Sequence, residues 1–175
     1  MADAIEITQS MQDLNNSVSL VGGKRTFVRF YVHSTNGIYP VTATLQASSG
    51  ALSQTLLPIA PGGPLIKVRP SYNRVVPSHA FLFELPLWTT FMGEITLTAQ
   101  VNPDLRWRPR NPEETSYANK TLIRTATFDP VPTLHLVIAN QPYTFNNVTY
   151  TASPYHRRKA AEWLSRVYPL SQVKV

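Results

Sequence analysis

Residues 24–33, KRTFVRFYVH, decide the fold class of this chain. Thr26, Val28, Phe30 and Val32 fall on one face of a period-two repeat, and Phe27, Arg29 and Tyr31 on the other. Alternation of this kind predicts a β-strand. Two partly apolar faces predict a central strand rather than an edge. Upstream, AIEITQSM (4–11) alternates Ile5 and Ile7 with polar neighbours, and Gly22–Gly23 marks a turn. Downstream, NGIYP (36–40) reads as a turn, and VTATLQAS (41–48) alternates through Val41, Ala43, Leu45 and Ala47. Residues 53–70 carry four Pro and two Gly, which predicts short edge pieces, because Pro cannot donate to a ladder.

The alternation continues. AFLFELP (80–86) is a compact apolar strand. GEITLTAQVNP (93–103) sets Ile95, Leu97, Ala99 and Val101 against Glu94, Thr96, Thr98 and Gln100, the signature of a half-buried antiparallel strand. KTLIRTATF (120–128) is its expected partner across a long loop. Six or seven such strands fit an antiparallel β-sandwich of roughly 125 residues. Asp129–Pro132, DPVP, reads as a connector. After it, TLHLVIA (133–139) is a further strand. SPYHRRKAAEWLSRVYP (153–169) is a helix, with Ser153 at the N-cap and Pro154 at the first helical position. Tyr155, Lys159, Trp163 and Val167 share one side of it, and SQVKV (171–175) begins a strand. The expected organisation is therefore a mainly β unit followed by a short strand-helix-strand segment.

Composition narrows the function classes. The chain has 175 residues, 43% hydrophobic and 15% charged, with no Cys and a formal net charge of +6. Disulfides and thiolate metal sites are excluded. No run of about 18 apolar residues is present, so no membrane span is expected. The opening MADAIEITQ lacks the basic and apolar regions of a signal peptide.

One resemblance adds to this reading. The stretch IEITQSMQDLNNSVSLVGGKRTFVRFYV (5–32) is similar to a phrase of bacterial secreted proteins. Thr8, Gln9, Gln12, Asn16, Ser17, Val18, Leu20, Gly23, Lys24, Thr26, Val28, Arg29, Tyr31 and Val32 match it. AQVNPDLRWRPRNPEETSYANKT (99–121) resembles the terminal hairpin of the cell-adhesion-related domain of bacteria, through Val101, Asn102, Pro103, Asp104, Glu114 and Asn119. It departs by a longer RWRPRNP loop and by Lys120 in place of a second Asn. The resemblance implies an immunoglobulin-like N-terminal domain over residues 4–128. In that family such a domain stands before a zinc metallopeptidase of the metzincin kind. The segment 133–175 resembles the opening of that peptidase, so it is expected to be the truncated start of a second domain. An extracellular or cell-surface location follows from the same resemblance.

The chemistry of such a peptidase is not expected within these residues. Metzincin zinc binding needs H-E-x-x-H and a third His. His33, His79, His135 and His156 are far apart in sequence and none lies in that motif. No nucleophile elbow or phosphate loop is present. The fragment is therefore read as non-catalytic, with no cofactor. Calcium is the best cofactor candidate, because Asn102, Asp104, Glu113, Glu114 and Asn119 supply oxygen ligands in one loop. Turn formation by the same side chains is the simpler reading. RWRPR is one short cluster without a second basic stripe, so no nucleic-acid partner is expected. Arg106, Trp107, Arg108 and Arg110 are the candidate partner-binding residues, expected to dock the downstream domain of the same polypeptide. The competing reading is an adhesion module for a protein or glycan ligand, with Tyr72, Trp88 and Trp107 as candidate sugar-stacking aromatics.

Overall fold

The computed structural model describes residues 1–35, 37–91, 93–103, 120–130, 134–168, 170 and 173–174. Nine strands build the first unit: β1 (Ala2–Thr8), β2 (Leu20–Val21), β3 (Phe27–Val32), β4 (Tyr39–Ser49), β5 (Leu52–Leu56), β6 (Leu65–Val68), β7 (Ala80–Glu84), β8 (Glu94–Val101) and β9 (Thr121–Asp129). They form two sheets. One has the order β1-β3-β7; the other runs β2-β9-β8-β4-β5, with β6 also pairing with β4. All pairings are antiparallel except β2 with β9.

The alternation of the sequence places the core. Ile5, Ile7, Val28, Phe30, Val32, Phe81 and Phe83 come from the three-stranded sheet. Ala43, Leu45, Ala47, Ile95, Leu97, Ala99, Val101, Ala126 and Phe128 come from the other. All belong to one hydrophobic cluster, so the two sheets face each other across it. β3 is central in its sheet, hydrogen-bonded to β1 and β7, as its two apolar faces predict. The Pro-rich stretch yields two short edge strands. β5 pairs with the second half of β4 and β6 with its first half. The turn expected at 36–40 ends sooner, because Tyr39 and Pro40 already belong to β4 and pair with Val68 and Lys67. Gly22 explains its own identity: a Cβ there would meet the carbonyl oxygens of Thr90 at 3.2 Å and Asp129 at 3.4 Å. Its amide donates to that Asp129 carbonyl, which seats β2 on the end of β9.

The second unit contains β10 (Leu134–His135), β11 (Tyr143–Phe145), β12 (Val148–Tyr150), α1 (Pro154–Val167) and β13 (Val173–Lys174). β10 and β13 pair in parallel with α1 between them, which is the expected strand-helix-strand order. The strand expected over 133–139 is shorter, two residues long. The hairpin β11–β12 is an element that sequence periodicity does not announce. Its signal is Asn146–Asn147, whose φ values of 47° and 61° make the left-handed two-residue turn that antiparallel ribbons favour. No helix is long and apolar enough to cross a membrane among the described residues.

Leu97 is fully buried at the centre of the shared core. Leu97→Ala is expected to destabilise the first unit by about 2–5 kcal/mol in urea unfolding, whereas Leu52→Ala, on the exposed edge strand β5, should change it by less than about 0.5 kcal/mol.

Candidate functional site

Two polar constellations depart from what a plain β sandwich core requires. The first lies on the outer face of the sheet β1-β3-β7. Glu6 and Tyr31 point away from the core, yet they are 4% and 0% exposed. The Tyr31 hydroxyl donates to Glu6 Oε2 at 2.7 Å, and Arg74 Nη2 lies 3.2 Å from Oε1. Arg29 Nη1 sits 3.9 Å from Oε2, and Arg29 Nη2 donates to the Arg74 carbonyl at 2.6 Å. Tyr72 packs its ring on Tyr31 with centroids 4.7 Å apart. The segment that carries Tyr72 and Arg74 therefore covers the sheet and buries Glu6 beneath it. A buried carboxylate is tolerated only with such partners. Burial, followed by the hydrogen bond to Glu6, pushes the Tyr31 phenol up to about 12. The Arg74 guanidinium is held above its ordinary value, chiefly by its bond to Glu6.

The second constellation joins the two units. Lys24, in the turn between β2 and β3, is nearly buried. Its Nζ donates to the carbonyl oxygens of Tyr168 at 2.7 Å and Arg166 at 3.4 Å. These carbonyls lie at the C-terminal end of α1, where helix carbonyls lack intrahelical donors and the dipole favours a cation. Desolvation lowers the Lys24 ammonium from its usual value. The base of that turn is fixed in turn by Thr26 Oγ1, which donates to the Lys24 carbonyl. Lys24 thus ties a helix end to the sheet unit. Lys24 opens the strand-deciding stretch, but its partner lies 144 residues away, beyond the reach of any local pattern.

The candidate interface residues Arg106, Trp107, Arg108 and Arg110 lie outside the described residues. So do Asp104, Glu113, Glu114 and Asn119 of the calcium set, and Val131 and Pro132 of the connector. Asn102 is described: it is buried, has a φ of 49°, and its amide donates to the Thr42 carbonyl at 2.7 Å. That is turn geometry closing the end of β8. Of the aromatic candidates, half-buried Tyr72 packs on Tyr31 at a tilt of 31°, and Trp88 Nε1 donates to Gln54 Oε1 at 3.1 Å. The histidines stay apart. His33 pairs with Asp3, His79 accepts from the Asn73 amide, His135 lies in β10, and His156 contacts Ser153 Oγ. The Ser153 hydroxyl, expected to cap the helix amides, is thus turned to the imidazole. No cluster of three His, Cys, Asp or Glu suited to a metal exists among the described residues. A shallow groove of about 260 Å³ between residues 16–20 and β9 has Arg124 on its lining, already donating to the Asn15 carbonyl.

No protein-family model matches this chain. No curated protein matches it either.

Two measurements check these constellations. Because the folded-state pKa of Tyr31 is raised, its contribution is fully present below pH 10 and is lost as pH rises through about 12. Alkaline unfolding should therefore show a loss of roughly 2 kcal/mol across that window. Tyr31→Phe should flatten it. For the tie, Lys24→Met should speed amide exchange at residues 164–168 about tenfold while leaving β3 protected.

Proposed function

We propose that residues 4–128 are a non-catalytic, immunoglobulin-like accessory module of a larger exported bacterial protein. Residues 133–175 then begin a second, metallopeptidase-like domain, which the module positions. The strand distribution supports the first part. A layer β1-β3-β7 faces a layer β9-β8-β4-β5, with β2 alongside β9. Immunoglobulin sandwiches likewise set a three-stranded sheet against a larger antiparallel one.

The observation that carries the second part is the β10–α1–β13 unit. Its parallel pair is two residues long on each strand, and no residue of the 14-residue helix is buried. Parallel strands are ordinarily covered on both faces. Trp163 and Val167 are about half exposed on α1, at 55% and 50%. A unit so thinly covered is the nucleus of a larger layer, and Lys24 sets its orientation against the sandwich. The module works by that orientation: it holds the next domain at a fixed angle, and the chemistry belongs to that domain.

The test is the natural polypeptide extended past Val175. The expected result is a downstream His-Glu-x-x-His, zinc-dependent peptidase activity in the extended chain and none in residues 1–175. Helix α1 should also exchange its amides at least about tenfold more slowly in the extended chain. A reading frame that stops at Val175, or peptidase activity from residues 1–175 alone, overturns the proposal. Tight glycan or protein binding by residues 4–128 that is lost in Trp107→Ala would establish the adhesion reading instead.

A further inference from the structure

The hairpin β11–β12 gathers its apolar side chains on one face. Its register pairs Tyr143 with Tyr150 and Phe145 with Val148, while Thr144 and Thr149 pair between them. Side chains alternate along a strand, so the first four project together and the two threonines project opposite. The four are 64%, 45%, 63% and 51% exposed, in that order of naming. The tyrosine rings stack with centroids 5.2 Å apart and an interplanar angle of 17°. Asn140 closes the base of the hairpin on Ala152, through its side-chain amide and carbonyl.

Shortly after the hairpin α1 begins, and its first two turns carry Arg157, Arg158 and Lys159. Across residues 134–175 the cations are these three with Arg166 and Lys174, against the single carboxylate Glu162. Glu162 bonds Lys159 at 2.8 Å and lies 3.8 Å from Arg158 and 3.9 Å from Arg166. These are exposed surface contacts, which leave the local field positive. An apolar aromatic face is thus followed in the chain, after the short connection 151–153, by a cationic helix turn.

We propose that this end of the molecule docks on an anionic lipid surface. The hairpin face seats at the boundary of headgroups and acyl chains, and Arg157, Arg158 and Lys159 lie against the lipid phosphates. Amphipathic rings such as tyrosine settle at that boundary. A small apolar wedge binds a membrane only marginally, and a basic patch beside it supplies the second signal that stable association needs. Charge alone would also suit a nucleic acid, but the tyrosines stack on each other rather than standing apart to receive bases. Every residue involved belongs to residues 140–159, so the docking stands or falls separately from any peptidase in an extended chain.

Vesicle pelleting of the whole chain tests it. Vesicles of phosphatidylcholine are compared with vesicles containing about a third phosphatidylglycerol. The chain should pellet with the anionic vesicles at least about tenfold more strongly than with the neutral ones. The triple variant Arg157→Gln, Arg158→Gln, Lys159→Gln should lose that preference. Phe145→Ser and Tyr143→Ser together should weaken binding by a similar factor, whereas Thr144→Ala and Thr149→Ala on the opposite face should not. Thermal unfolding of the β sandwich serves as the folding control for each variant. Equal pelleting with both vesicles, no pelleting, or anionic binding untouched by the Phe145/Tyr143 variant overturns the proposal. Capture by heparin that equally ignores that variant shows plain polyanion attraction, and overturns it as well.

Discussion

The structure depends on one constraint: two pleated sheets must close over a single apolar layer about as thick as two side chains. Phe30, Phe81 and Phe83 meet Leu45, Leu97 and Ile95 there, each essentially without solvent exposure. Because side chains in a strand alternate, every residue that serves this layer forces its neighbours outward. The outward face of β3 then has to be managed separately. Arg29 and Tyr31 are the result, and the segment bearing Tyr72 and Arg74 is laid over them. Once that segment is in place Glu6 is buried, and its two oxygens take a phenol and a guanidinium. The polar cluster is thus a consequence of the core's geometry rather than a site in its own right.

The sequence exposes the inner layer plainly and the outer cluster hardly at all. Ile95, Leu97, Ala99 and Val101 alternate with Glu94, Thr96, Thr98 and Gln100, and burial follows that alternation. Glu6 looks like an ordinary solvent-facing residue between Ile5 and Ile7. Nothing within β1 says otherwise, because what buries it arrives with Arg74, far along the chain. The same limit hides the Lys24 tie. A lysine after two glycines reads as a turn residue, and only the returning helix end reveals its acceptors. Local periodicity reports elements, whereas covering and tying are long-range events.

The second unit shows the converse. Helix α1 is legible because Ser153, Pro154 and Pro169 punctuate it and its apolar residues recur at helical spacing. The hairpin before it is not. Tyr143–Phe145 and Val148–Tyr150 are three residues each, too short for a periodicity to establish itself. Asn-Asn is also a weaker turn signal than Asn-Gly. The loop residues that composition makes most conspicuous, Arg106 to Arg110, lie outside the described residues, so the geometry of the site rests on other groups.

Those other groups divide the labour physically. The β unit has its core filled and its outer face pinned by the Glu6 cluster. The second unit is thinly covered, aromatic and basic. Lys24 joins them through a helix C-terminus, where a cation gains from both hydrogen bonds and the dipole. The two halves differ in burial: the β unit closes on one apolar cluster, whereas no residue of α1 is buried.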